Sequence, residues 1–206
     1  MKKYSVLQYI LGQLKKNDPA LTTVMSDILY MGAMTQLYMG VNTDQLVTDL
    51  AEAEGYTLTP STFTSIDPSL NQQAVTGDRT TGTDWKAISL AFGASTEIVF
   101  KFETDNIEGL KVKVTVAGND TYYDVSELTK DGDRYVVYFP GVRSYEYNET
   151  VTATFERDGV QVGSTFVYSI NTFLAKNYES AKYDANAKEL MKAIYTYGDS
   201  IAKYFA

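Results

Sequence analysis

The chain has 206 residues, with 18 Lys and Arg against 26 Asp and Glu for a net charge of −8, and it contains neither Cys nor His. Without Cys there is no disulfide, thiolate metal site or cysteine nucleophile; without His the commonest general base and transition-metal ligand are gone. A pI near 4.6 argues against nucleic-acid binding, which needs a positive field, and no apolar run approaches the roughly 20 residues of a membrane span.

Two positive charges open the chain, but Gln8, Gly12 and Gln13 interrupt the apolar segment that follows, so a signal peptide is not expected. The chain is then either cytosolic or a piece of a longer exported protein. Residues 1–58 read as N-terminal helices. Val6, Leu7, Ile10, Leu11 and Leu14 mark a first helix. Asp18-Pro19 starts a second, with Leu21, Val24, Ile28, Met31, Met34 and Leu37 at helical spacing and Gly40 as its stop. A short third helix is expected between Thr43 and Glu54. Residues 59–84, rich in Thr, Ser and Asn, read as a linker that drapes over a neighbour or holds a short edge strand near Phe63.

Residues 85–168 alternate. Ile98, Phe100 and Phe102, then Leu110, Val112, Val114 and Val116, then Tyr135, Val137 and Phe139, then Val151, Ala153 and Phe155 each occupy one side of a strand. Turn residues at Gly93-Ala94-Ser95, Gly118-Asn119-Asp120, Asp131-Gly132-Asp133, Pro140-Gly141 and Asp158-Gly159 separate them. About seven strands at this spacing predict an immunoglobulin-like antiparallel β-sandwich, giving an α+β chain. Residues 169–206 return to helix, capped by Asp184. Leu190, Met191, Ile194, Tyr197, Ile201, Tyr204 and Phe205 form its apolar face, and Lys182, Lys188, Lys192 and Lys203 its solvated side.

The helical blocks match each other. Asp18 and Asp184, Ile28 and Ile194, Gly32 and Gly198, Tyr38 and Tyr204 are all separated by 166 positions, and Tyr4-Ser5-Val6 matches Tyr168-Ser169-Ile170. The two blocks are therefore expected to pack as one small bundle, with each Gly admitting a neighbouring helix.

Residues 26–47, SDILYMGAMTQLYMGVNTDQLV, and residues 168–205, with Tyr168-Ser169-Ile170 and Tyr197-Gly198 through Tyr204-Phe205, resemble segments of large secreted proteins of gut Clostridia. Their usual form is a Leu-x-Tyr-Gly-Ala-Ala-Ala-Gln-x-Tyr-Phe helix, an Asn-Thr-Asp turn, and a partner helix ending Tyr-Gly-x5-Tyr-Phe. Arg134–Gly141 and the Val-Thr-Ala-Thr strand at 151–154 fit the same pattern. Met31, Met34 and Thr35 depart from it. The resemblance implies a non-catalytic, extracellular module of a cell-surface protein, beside dockerins, glycan-binding modules or wall anchors.

No enzyme motif appears. Glu97, Glu103, Asp105 and Glu108 read as a solvated face with ion pairs, and a Gly-x-Ser-x-Gly elbow and a phosphate loop are both missing. No cofactor is expected; Ca²⁺ at Asp131-Gly132-Asp133 or Asn119-Asp120 is weighed against plain turn chemistry. The aromatics carry the functional hypothesis, since sugar rings stack on exposed Trp and Tyr. Trp85, the Arg143-Ser144-Tyr145-Glu146-Tyr147-Asn148 segment (Arg143, Tyr145, Tyr147 and Asn148) and Tyr122-Tyr123 are the candidate ligand-binding residues, weighed against Trp85 plugging the sandwich and one Tyr of each pair facing inward. Two functions compete: polysaccharide binding or adhesion, with starch as one plausible glycan, and a structural spacer whose partners are neighbouring modules of the same surface protein.

Overall fold

The computed structural model describes residues 5–16, 18–92 and 96–206. Tyr4 of the matched Tyr-Ser pair and the turn expected at Gly93-Ala94-Ser95 lie outside the described residues. Among these residues the chain forms five α-helices and nine strands. It divides into two compact units. One comprises residues up to Asp67 with Lys176–Ala206, and the other is Pro68–Ala175. No described helix is long and apolar enough to cross a membrane.

The first unit is built on α1 (Val6–Leu14), α2 (Pro19–Met39), α3 (Val47–Ala53) and α5 (Ala185–Phe205). Asp18 caps α2 by accepting the Leu21 N–H at 3.1 Å, and Gly40, at φ +66°, ends it. The Gln36 amide then fixes the turn into α3. Its Oε1 accepts the Val47 N–H at 2.8 Å while Nε2 donates to the Asn42 and Gln45 carbonyls. Asp184 caps α5 through the Ala187 N–H at 2.8 Å.

Helices α2 and α5 pack antiparallel. The Tyr30 hydroxyl donates to Glu189 at 2.8 Å, and further along α2 the Leu37 carbonyl accepts from Asn186, earlier in α5. On another side of α2, Ile10, Leu11 and Leu14 of α1 meet Leu29 and Ala51 in one apolar cluster. Gly32 admits α3 closely, since a Cβ there would lie 3.1 Å from Val47 Cγ2. Being covered on several sides, α2 buries Val24, Ser26, Asp27, Leu29 and Ala33 rather than the single expected stripe. The face expected on α5 is buried at Leu190, Met191, Ile194 and Tyr197 but runs out at Tyr204 and Phe205, which are exposed. Lys192, expected in solvent, is partly covered and sits 3.1 Å from Glu189 with the Tyr30 and Phe63 rings 5.8 and 5.6 Å away.

The first residues of the segment read as linker are bound within this unit. Ser26 accepts the Thr59 N–H at 3.0 Å. Asp27, 0% exposed, accepts the N–H and hydroxyl of Ser61 at 2.7 and 2.6 Å. The Phe63 ring lies edge-on to Tyr178 and Tyr195. Strands enter this stretch further on, at Ala74–Gly77 and from Thr83.

The second unit contains β1 (Ala74–Gly77), β2 (Thr83–Phe92), β3 (Thr96–Thr104), β4 (Leu110–Val116), β5 (Asn119–Asp124), β6 (Lys130–Asp131), β7 (Arg134–Phe139), β8 (Val151–Arg157) and β9 (Val160–Tyr168). Residues 170–175 of α4 (Ile170–Asn177) belong to it as well. A five-stranded antiparallel sheet runs β1-β9-β8-β4-β5 and a four-stranded one β2-β3-β7-β6, facing each other as a sandwich. Nine strands stand where about seven were expected; β1 and β6 have four and two residues, too short to carry a periodic signal. Asp158 and Gly159 both have positive φ, 51° and 77°, and close the β8–β9 hairpin as the sequence predicts.

The core holds Trp85 and Phe102 from one sheet against Phe155 and Phe166 from the other. β9 carries two extra residues opposite Ala153–Phe155, and within them Ser164, in phase with the buried Phe166, is fully buried. Gly163, at φ +68°, makes this possible, because a Cβ there would stand 2.7 Å from the Thr83 carbonyl oxygen.

Candidate functional site

Trp85 is not a sugar platform. It is 1% exposed, stacked on Phe155 at 4.1 Å, and its indole N–H donates to the Ser164 carbonyl at 2.9 Å. The cause is a bulge between Trp85 and Ala87. Counting back in twos from Leu90 and Ile88 places Lys86 inside and Trp85 outside; the extra residue reverses the phase and sends the indole into the core. Tyr147 is corrected likewise. It is 6% exposed, and its carbonyl accepts the Asn171 N–H at 3.0 Å.

The rest of that segment turns outward. Arg143 donates from Nη1 to the Tyr145 hydroxyl at 2.5 Å, with its guanidinium carbon 5.8 Å from the ring centroid. Tyr145 remains 39% exposed. Asn148 is exposed and lines a cavity of about 230 Å³ with Leu70, Gln72, Thr150, Ser169 and Thr172. Tyr123 is half-buried opposite Val112 and donates to the Tyr138 carbonyl at 3.3 Å; burial, then the charge of Glu97, pushes its phenol pKa up.

Tyr122 points the other way. It is 51% exposed on β5 and borders an open depression of about 390 Å³ with Lys111, Glu156 and Asp158, floored by Gly109 and Gly159. The register explains the grouping. Lys113 lies opposite both Tyr122 and Thr154, and Lys111 opposite both Asp124 and Glu156, so these side chains share the outward face of the five-stranded sheet. Lys113 bridges Asp120 at 3.2 Å and Glu156 at 3.4 Å. Bonds from Thr115 and then Lys113 hold the Asp120 carboxyl below its ordinary pKa, while Asp120 holds the Lys113 ammonium above its own. Charge on this face is thus largely internally balanced, leaving a phenol ring among hydroxyls, carboxylates and amines suited to reversible polar contact.

The predicted residues therefore do not converge on one site. Trp85, Tyr123 and Tyr147 face inward, Arg143 and Tyr145 hold each other, Asn148 precedes β8, and Tyr122 stands two strands away from β8 across Lys113. Lys111, Glu156, Gln72 and Thr150 were not singled out in the sequence; alternation puts Lys111 outward, but only the strand register reveals its neighbours.

The acidic turns are engaged locally. Asp131 takes Lys101 at 2.5 Å, and Glu103 takes Lys86 and Arg134 at 3.5 and 3.4 Å. Among the described residues no three acidic side chains stand together as a metal site. Neither a family model, a curated protein nor a solved structure matches this chain.

Proposed function

We propose that the protein is a non-catalytic module of an exported cell-surface protein, and that it binds polysaccharide through the outward face of its five-stranded sheet at Tyr122. One observation carries this: a half-exposed Tyr122 ring borders an open depression flanked by Lys111, Glu156 and Asp158. A ring offers its face to sugar C–H groups while the flanking side chains bond hydroxyls. The net charge of −8 favours a neutral glycan over an anionic one. The extracellular setting rests on the resemblance of residues 26–47 and 168–205 to secreted modules. An immunoglobulin-like sandwich is part of the proposal. The orders β2-β3-β7-β6 and β9-β8-β4-β5 support it, since they follow the ABED arrangement and the GFC arrangement with one added strand.

A structural spacer is the second reading, favoured by the burial of Trp85 and Tyr147. Affinity electrophoresis through gels containing starch, xylan, β-glucan or mucin separates the two. Retardation that Tyr122→Ala abolishes supports the binder; free migration of the unmodified protein on every gel supports the spacer.

A further inference from the structure

The depression at Tyr122 and the cavity at Asn148 lie at two ends of one row. Along β8, Thr152, Thr154 and Glu156 alternate with the buried Val151, Ala153 and Phe155, and so share the outward face; Thr150 precedes them in the same phase. From Thr150 to Glu156 the rise is about 20 Å, the length of several sugar rings. Thr115 on β4 and Val167 on β9 flank Thr152, Lys113 stands beside Thr154, and Lys111 and Gln161 flank Glu156, so the row meets long side chains only toward its Glu156 end.

The row is also chemically open. The side chains of Asn148, Thr150, Thr152 and Thr154 make no hydrogen bond to another described residue. Each hydroxyl both donates and accepts, and the amide does the same through separate atoms. The cavity at the far end presents Gln72, Asn148, Thr150, Ser169 and Thr172, none of them charged, over Leu70 and Val167. Its volume of about 230 Å³ falls below the roughly 300 Å³ where clefts for drug-sized ligands begin, which suits a single ring.

We infer that the ligand is a linear, neutral polysaccharide lying along β8, with one ring in the depression that Tyr122 borders and another in the cavity at Asn148. This rests on the binding reading above and adds the direction, length and charge class of the chain.

The test is calorimetric titration of the full chain with malto-, xylo- and cello-oligosaccharides from disaccharide to hexasaccharide. For the series that binds, affinity rises with length until the row is filled and then levels. Asn148→Ala weakens the hexasaccharide about three- to tenfold and the disaccharide by less, as expected for losing one hydrogen-bonding group at the far end. Thr154→Arg, which raises the row at its middle, reduces the hexasaccharide to disaccharide affinity, with far-UV circular dichroism confirming an unchanged fold. Tyr122→Ala weakens every length. Equal affinity for all lengths, or full hexasaccharide affinity in Thr154→Arg, overturns this inference while the Tyr122 reading stands. No binding of any series by the unmodified protein overturns both.

Discussion

Replacing Trp85 by Ala removes the ring on which the sandwich closes. The indole lies 4.1 Å from Phe155 and 5.6 and 5.5 Å from Phe100 and Phe102, and it supplies the donor to the Ser164 carbonyl. Truncating a buried Trp costs about 3–5 kcal/mol, and a stranded buried acceptor adds to it. Against a typical total of roughly 5–15 kcal/mol, this takes much of the stability of the sheet unit. At about 4–8 °C per kcal/mol for a domain near this size, melting falls by roughly 12–40 °C. Thermal and urea unfolding of the full chain, followed by far-UV circular dichroism, measure it. Trp85→Phe keeps a ring and loses the N–H, so its cost is smaller, about 1–2 kcal/mol. Trp85 is the single Trp, which gives an independent readout in the unmodified protein: blue-shifted emission that iodide does not quench. A Trp85→Ala change within about 0.5 kcal/mol, the range of surface substitutions, or emission that iodide quenches, would refute the core assignment and return the indole to the list of sugar contacts.

Other outcomes follow from single contacts. Asp27→Ala strands the Ser61 N–H and hydroxyl, costing about 1–3 kcal/mol and exposing the Ser61 amide to faster hydrogen exchange; unchanged protection there would contradict the clasp. Gly163→Ala meets both a positive φ and the Thr83 carbonyl, so it destabilises by more than about 1 kcal/mol in urea titrations, whereas the same change at an open surface position is near neutral. Asp84 has its pKa lowered chiefly by the Arg79 bond, with Ser164 and Lys86 assisting against burial. Its stabilising contribution is therefore present above the ordinary aspartate value of about 3.9 and is lost as pH falls through the lower folded value. Urea midpoints measured from pH 6 to pH 2 should fall less steeply at the acid end in Asp84→Asn, and identical slopes would show that the ion pair does not contribute.

The strands and caps were legible because each is a local rule. Ile98, Phe100 and Phe102 alternate within one segment, Asp18 and Asp184 precede their helices, and Asp158-Gly159 is a turn by its own chemistry. For Trp85 the sequence left core plug and sugar platform both open, because one bulge residue reverses the face of everything before it, and hydrophobic pattern alone does not locate a bulge. Ser26 and Asp27 look like ordinary polar positions until residues 59 and 61 are laid beside them, more than 30 positions away. The outward face had the same difficulty. Tyr122 and Thr154 were visible as residues, but that Lys113 stands between them depends on the pairing of three strands. Asn148 carried a signal, and its cavity partners Leu70 and Gln72 lie in the stretch whose composition announced only a loop.

The Tyr30–Glu189 bond joins residues 159 positions apart, and every residue of the sheet unit lies between them. During synthesis α2 leaves the ribosome long before α5 exists, so its partner face stays bare while Pro68–Ala175 emerges and pairs its strands. The sheet unit is then the part able to fold on its own schedule, and closure of the helices is the last event, carried by the slow search for a distant contact. A released chain that ends before Lys176 should carry native-like strands together with an adhesive, unfinished helix surface, the state in which chaperone capture or aggregation is decided.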